Sequence, residues 1–411
     1  MIQIPESLFV GVDLSGSENV AQFLTGMGQF ARRSLSFDHT LHGYNQLVSA
    51  IEALHKCQPF DSVRIGMEAT GLYWWHLAEH CRDAAKQTEL PISVFVLNPS
   101  LTKAMKKAIG TAMPKTDHVD AYVIAERLKL GNIRPLTDAD LRFAPLARLT
   151  RFRMTMVDNL VIEKNRACQL LFLKYPEYTK VAGERTFSKG SMALIDEFTA
   201  QELADKPMEE LLKVLLANSN NRLADPEIFV QNLRAAARNS SRLSAKMQDS
   251  VSVTLSMTLA NIRFFEQQIK KVDAVIAQEL KAIPQTLQTI PGIGPVLAAG
   301  IISEIGDISR FDEETSLARY AGLTWTVNQS GSFRAQDTSL TKAGNHYLRY
   351  YLVEAANCLR VHNQEYKAFY DRKYAEVPKH QHKRALVLTA RKFVRLVHAL
   401  LSTGQIYRQG S

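Results

Sequence analysis

Four carboxylates, Asp13, Glu68, Asp117 and Asp120, have the types and spacing that a hard-oxygen metal site needs. Asp13 ends the apolar run Leu8-Phe-Val-Gly-Val-Asp13, and Glu68 ends a second run, Val63-Arg-Ile-Gly-Met-Glu68. Each acid is therefore expected at the C-terminal edge of a buried strand, where open sheets of alternating order place their sites. The segment from Thr116 to Leu128 reads as a helix with Thr116 as its N-cap. At about 100° per residue, Asp117 and Asp120 share a face with Ala121, Ile124 and Leu128. An isolated acidic pair in a first helical turn ordinarily complements the helix dipole on a solvated surface. Here the pair is on the apolar face, expected to dock on the sheet, and neighbouring half-buried carboxylates repel unless a cation stands between them. Two more acids at strand ends make a set suited to magnesium or manganese. Two such ions can clamp the attacking and leaving oxygens of a phosphodiester.

Residues 8 to about 37 read as three strands, Leu8 to Leu14, Val20 to Thr25 and the alternating Phe30 to Phe37, separated by Ser-Gly and Gly-Met-Gly-Gln turns. A helix over roughly Leu41 to Lys56 follows, then the Glu68 strand, a helix from about Tyr73 to Ala85 and a strand Ile92 to Leu97. Three strands followed by alternating helix and strand is α/β order, and it matches the topology of a ribonuclease H or Holliday-junction-resolvase type of nuclease domain. Lys103, Lys106, Lys107 and Lys115 run up to the last two acids. Alone they read as a solvated loop; beside a metal site they are where a phosphate backbone would lie.

The chain has 411 residues, enough for two to four domains with real cores. Its 46% hydrophobic and 22% charged content is that of an ordinary soluble globular protein. Net charge is +9, and the stretch from Asn363 onward holds ten Lys or Arg against three Asp or Glu, a net +7. Such an excess attracts polyanions through counterion release, although it also occurs in merely soluble proteins. Cys57, Cys81, Cys168 and Cys358 are far apart and read as reduced packing residues, not as zinc ligands. The beginning of the chain has no signal-peptide pattern and there is no apolar stretch of membrane-spanning length, so the reading is a cytoplasmic, nucleoid-associated protein with no membrane partner.

From about Ala144 the character changes to long helices. Ile262, Phe265, Ile269, Val272, Ile276, Leu280 and Ile283 step by three and four residues and mark a coiled-coil-like seam, with Leu146 to about Lys174 as a candidate antiparallel partner. An intermolecular seam and an intramolecular hairpin give the same pattern. Between them, roughly Lys180 to Pro226 reads as less ordered. Arg234, Arg238, Arg242 and Lys246 recur every four residues and line one helical face, which reads equally as a solvated face or one tracking the phosphates of RNA or DNA. The third part begins near Pro284. Pro291, Gly292 and Gly294 are expected to form a tight turn with outward amides, the arrangement by which helix-hairpin-helix proteins hold a phosphate. A short helix, Glu313 to Ala321, leads to a polar loop, Thr324 to Arg334, that carries Ser330 beside Gly331. A lone Ser-Gly pair is usually only a turn. Lys342 and Arg349, seven residues apart, fall on nearly one face if their helix starts early enough.

Taken together, Gly-Val-Asp13, Met-Glu68-Ala-Thr-Gly-Leu-Tyr, Lys-Thr-Asp117-His-Val-Asp120-Ala, Pro-Gly292-Ile-Gly294, Gln-Ser330-Gly and Lys342-Ala-Gly-Asn-His-Tyr-Leu-Arg349 resemble the DEDD transposases of the IS-one-ten insertion-sequence family, relatives of the Piv DNA invertases. The likeness covers about residues 8 to 131 and 284 to 360, in order. It implies a RuvC-like nuclease domain over 1–140, a helical coiled-coil connector over 141–283 and a mainly α transposase domain over 284–411. It further implies magnesium, or manganese, on Asp13, Glu68, Asp117 and Asp120, and Ser330 as the nucleophile that becomes joined to a DNA 5′-phosphate. Gly292, Gly294, Lys342, Arg349 and the Arg234–Lys246 stripe are then candidate nucleic-acid contacts. The partners implied are donor and target DNA, a guide (bridge) RNA from the element's noncoding end, and further copies of the chain, a dimer assembling to a tetramer with the composite site shared between protomers. Two other readings compete. One is a Holliday-junction resolvase or structure-selective nuclease in which the acids activate water and Ser330 is inert; the other is a nucleic-acid-binding protein without catalysis.

Overall fold

The computed structural model describes residues 6–110, 114, 116–219, 223–326, 329–330, 333–334 and 339–409. The chain divides into two compact units, Met1–Leu141 and Arg142–Ser411.

The first unit is built on one five-stranded mixed sheet. Its strands are β1 (Ser7–Leu14), β2 (Asn19–Thr25), β3 (Leu35–Phe37), β4 (Ser62–Glu68) and β5 (Ile92–Leu97), ordered β3-β2-β1-β4-β5. β1 and β2, and β2 and β3, pair antiparallel; β1, β4 and β5 run parallel. β3 is shorter than the expected Phe30–Phe37. The chain turns at Gly28 (φ +81°), touches β2 in a single bridge at Phe30, and rejoins the sheet only at Leu35.

Alternation along the strands decides which residues meet which helices. Leu8, Val10, Val12, Val63, Ile65 and Met67 enter a core shared with α1 (Leu41–Cys57) and α2 (Trp74–Gln87). The opposite parity, Phe9-Gly11-Asp13 on β1 and Arg64-Gly66-Glu68 on β4, faces α4 (Asp117–Lys129), whose Ile124, Ala125 and Leu128 pack with Phe9, Leu24, Phe95 and Leu97. Gly11 and Gly66 are register partners on adjacent strands. A Cβ on Gly11 would overlap the backbone of Ala121 and Ala125, and one on Gly66 would come within 2.6 Å of Leu128. Two missing side chains therefore form the groove in which α4 lies close to the sheet. Between β5 and α4 lies α3 (Pro99–Ile109), started by the Asn98 side chain, which accepts from Ser100 N at 2.9 Å, and by Pro99 in the first turn.

The second unit is helical. α5 (Asp138–Lys174) begins just before the boundary, and within this unit it runs antiparallel to the 36-residue helix Ala245–Leu280. Arg153 pairs with Asp273, and Lys164 with Glu266 at 3.1 Å. The expected seam is not continuous. Ile262 sinks into one core, Ile276 and Leu280 into another, and Phe265, Ile269 and Val272 between them are half-buried. The region expected to be less ordered, Lys180 to Pro226, is instead largely helical: Lys189–Glu197, Ala200–Asp205 and Met208–Ser219 pack with Pro226–Asn239 around Tyr175, Tyr178, Leu211, Leu215 and Phe229. The first two of these helices are too short to show a period, and a cap carries the signal: Thr199 and Glu202 form a capping box. The other core gathers Pro295–Ile305, Glu314–Tyr320, His346–His362 and Gln381–Thr403. Among the described residues no helix is long and apolar enough to cross a membrane.

Candidate active site

Parallel register delivers the first two acids together. Val12 is opposite Met67, so Asp13 and Glu68 are the next residues out on neighbouring strands, both on the α4 face. Thr116 caps α4, its hydroxyl accepting from Val119 N at 3.3 Å, and starts the helix one residue before Asp117. Asp13, Glu68 and Asp120 line a cleft of about 240 Å³ together with Pro99, Thr102, Lys103, Lys106 and Val123. Asp117 is exposed at the edge. It is still close enough to be felt: Asp13's carboxyl is pushed up to about 6 by burial first and then by the charges of Asp120, Asp117 and Glu68, against one hydrogen bond from the Leu14 amide. Glu68 accepts from Thr70 Oγ1 at 3.0 Å through one oxygen and from Thr102 through the other. Asp120 pairs with Lys106.

The donor chemistry fits a divalent cation. Glu68 and Asp120 share the cleft with a half-buried Asp13, Asp117 adds its charge from the edge, and a hard cation would relieve the opposition of these charges. Lys106 and the two threonines hold Asp120 and Glu68 aside, and among the described residues no three His, Cys, Asp or Glu side chains converge on one point. The lysines of α3 extend the wall: Lys103 and Lys106 face the cleft, while Lys115 lies outside the described residues. A larger cleft, about 590 Å³, lies in the second unit, but its walls mix Lys189, Arg263 and Lys270 with Asp196, Glu197 and Glu266, and Arg263 pairs with Asp196 at 2.9 Å. It offers neither an excess of one charge nor a convergent donor set.

Other expected contacts fare differently. Ser330 is not in a loop but in β6 (Gln329–Ser330), paired antiparallel with β7 (Phe333–Arg334), where Ser330 is opposite Phe333. Gly331 and Ser332 lie outside the described residues. Lys342 and Arg349 do not share a helical face. Asn345 caps the helix His346–His362 by accepting from Tyr347 N and Leu348 N at 3.0 Å, so Lys342 precedes it with φ +52°. Arg349 instead donates to the carbonyls of Ala321 (3.0 Å) and Lys342 (3.1 Å), bracing that turn. The arginine stripe is broken as well. Its helix ends at Asn239, and Arg242 folds back to donate to Ala237 O (2.6 Å) and Ser240 O (2.9 Å), capping the helix end. Arg234 has a buried Nε without a hydrogen-bond partner among the described residues, while Arg238 and Lys246 are exposed.

The glycine turn forms, with Gly292 at φ +88° beside His362 and Gly294 as N-cap of Pro295–Ile305. What precedes it is a single 3-10 turn, Leu287–Thr289, not a full helix. Several basic residues of the C-terminal stretch are engaged internally: Lys373 and Arg384 with Glu376, Lys392 with Glu365, Arg395 with Glu314.

Sequence reasoning missed the glycine groove, Thr102 and a buried carboxylate hub. Glu304 receives Arg151 Nε and Nη2 at 2.6 and 2.8 Å and Asn345 Nδ2 at 2.7 Å. Of these, the glycine groove had a signal, the matched pattern Val-Gly-Val-Asp and Ile-Gly-Met-Glu at two strand ends.

The first unit thus presents a mixed sheet with acids at its carboxyl edge beside a lysine-bearing helix. Comparison with known proteins supplies the family. The model of DEDD transposases matches residues 10–176, and that of the IS116/IS110/IS902 transposase family matches residues 284–371. A pilin gene-inverting protein of Moraxella lacunata is 30% identical over 83% of this chain and 79% of its own length. The 43.6 kDa IS110 insertion-element protein of Streptomyces coelicolor is 25% identical over 71% of this chain and 72% of its own. Among solved structures, T. thermophilus RuvC in complex with Holliday junction substrate matches with 10% identity and a TM-score of 0.24, over 32% of this chain and all of that one. The chain belongs to the IS116/IS110/IS902 family of transposases.

Proposed function

We propose that the protein is an RNA-guided DNA recombinase of an insertion sequence, in which a ribonuclease H-like, RuvC-type first unit and Ser330 of the second act on the same strand. The observation that carries the reading is the placing of Asp13, Glu68 and Asp120 in one cleft with Asp117 at its edge, the Asp13 carboxyl raised by burial first and then by the charges of the other three. The strand order 3-2-1-4-5 supports the fold assignment. A divalent ion on this set would polarise the scissile phosphodiester and stabilise the leaving oxygen.

A serine hydroxyl is a weak nucleophile and needs such help. In the step proposed, a bond forms between Ser330 Oγ and phosphorus, the bond from phosphorus to the 3′-oxygen breaks, and the serine proton ends on the released 3′-hydroxyl. The phosphodiester's energy is kept in the protein–DNA bond, as rejoining requires, and relatives that invert a gene segment have the same requirement. Guidance by an RNA from the element's noncoding end, and assembly of the composite site between copies of the chain, rest on family membership. Because the arginine stripe is broken, exposed Arg238 and Lys246 are the remaining candidates from it for RNA contact.

Denaturing gels with end-labelled element DNA test the nucleophile. Wild type is expected to trap a covalent adduct at the 5′-phosphate and Ser330→Ala to trap none while still binding DNA; Ser332→Ala serves as the control. An adduct that persists in Ser330→Ala removes Ser330 from the mechanism. Cleavage that proceeds in Ser330→Ala without any adduct would favour a resolvase-like nuclease.

A further inference from the structure

The helix α3 contributes more to the acids than a nearby positive field. Thr102 and Lys106 are four residues apart and so share one face. From that face they reach two different acids, Thr102 to Glu68 and Lys106 to Asp120. Among the described residues Lys106 is the cation ion-paired to any of the four acids, and both partners of its pair are about three-tenths exposed. Lys103, one turn earlier, lines the same cleft and, among the described residues, has no such pair with the four acids. The Asn98 cap and Pro99 fix where α3 begins, so the positions of Thr102 and Lys106 over the acids are set by backbone geometry.

We propose that α3 is a latch. Lys106 is the resident counter-ion of Asp120 in the ion-free protein, gives up that place when a divalent cation binds, and then contacts a phosphate oxygen of the DNA backbone entering the cleft. The proposal rests on the metal-site reading above. An ammonium and a divalent cation compete for the same carboxylate lone pairs. A single pair that is about three-tenths exposed is screened enough by solvent to be displaced. Lysine's flexible stem lets the freed head group swing without a backbone change, and a compact ammonium is a general phosphate binder. Thr102 keeps Glu68 oriented throughout, because a hydroxyl bond to one oxygen leaves the carboxylate its charge.

Manganese titration of the full chain tests this, with bound ion counted by electron paramagnetic resonance, alongside melting in chelator and binding of duplex DNA with manganese present. Lys106→Gln is expected to bind manganese roughly fivefold tighter than wild type, the equivalent of losing a competing pair of about 1 kcal/mol. Lys103→Gln should change it less than twofold, and Lys106→Arg should restore the wild-type value. Lys106→Gln should also melt earlier without ion and bind DNA more weakly with ion present. Unchanged or weaker manganese binding by Lys106→Gln overturns the latch, as does equal tightening by Lys103→Gln, which would mean only a diffuse field. If wild type and Asp13→Asn bind manganese alike, the metal-site reading itself fails and the latch falls with it.

Discussion

The molecule contains two carboxylate centres that are settled in opposite ways. Glu304 is almost wholly buried, with side-chain exposure of 1%, and both of its oxygens are answered by the guanidinium of Arg151 and by the Asn345 amide. Asn345 in turn caps the helix His346–His362, so the hub ties α5 and the helix Pro295–Ile305 to the turn that follows Lys342. At the sheet edge, among the described residues, only Asp120 of the four acids has an ion-paired ammonium, and burial together with the charges of the other three leaves the Asp13 carboxyl raised. Glu304 is satisfied by its own chain, which is the arrangement of a structural support. Among the described residues the acidic cluster has one ion-paired lysine and a second along its cleft for four acids, an arrangement that leaves room for a cationic ligand.

Several substitutions would break or sharpen that contrast. The largest effect expected is on chemistry: Asp120→Asn or Asp13→Asn should reduce DNA cleavage to background while DNA binding and the circular dichroism spectrum persist. Full cleavage by both variants in the presence of a chelator would sink the site assignment. Next is Arg151→Met, which leaves Glu304 buried with only Asn345 as a partner. The expected loss is about 3 kcal/mol of stability, read by denaturant unfolding, and an unaltered midpoint would show the hub to be idle. Gly11→Ala should follow with a loss of roughly 1–3 kcal/mol from forced overpacking and a parallel loss of cleavage, because α4 and its two acids must move away from the strands.

The smallest effect has the opposite sign. Asp13's folded pKa is above its unfolded value of 3.8, so the folded chain holds a proton that the unfolded chain releases between there and about pH 6. Its ionisation therefore opposes folding: stability of the ion-free protein declines as pH rises through that window and levels off above it. Asp13→Asn should melt a little higher than wild type in chelator at pH 7.5, with the gap closing below pH 4. Manganese affinity of the wild type should weaken as pH falls through 6, since proton and ion compete for one carboxylate. A variant that melts lower at pH 7.5 would show that Asp13 is not under electrostatic strain.

Much of the first unit could be read from residue order. The strand ends at Asp13 and Glu68 were legible because buried parallel strands are continuous apolar runs, and α4 because Thr116 caps it. What failed was whatever depended on where a helix stops or starts. A four-residue spacing from Arg234 to Lys246 means one face only while the helix continues, and it ends at Asn239. Lys342 and Arg349 have helical spacing, but Asn345, a cap residue in plain view, starts the helix between them. The helices from Lys189 onward escaped because each is brief, 9, 6 and 12 residues, and is broken from the next by a cap. Glu304 and Arg151 are 153 residues apart in the chain, and no local pattern joins them.

The paired glycines of β1 and β4 have a consequence for ion selection. On the metal-site reading, two acids are fixed to strands and two to a helix, and the distance between those sets is the thickness of whatever separates α4 from the sheet. At Gly11 and Gly66 that separation is bare backbone. Magnesium takes its oxygens at about 2.0–2.1 Å and calcium at about 2.3–2.6 Å, so a few tenths of an ångström distinguish the two. A residue pair with no side chains thus acts as a caliper, and its width bears on which ion the acids will accept.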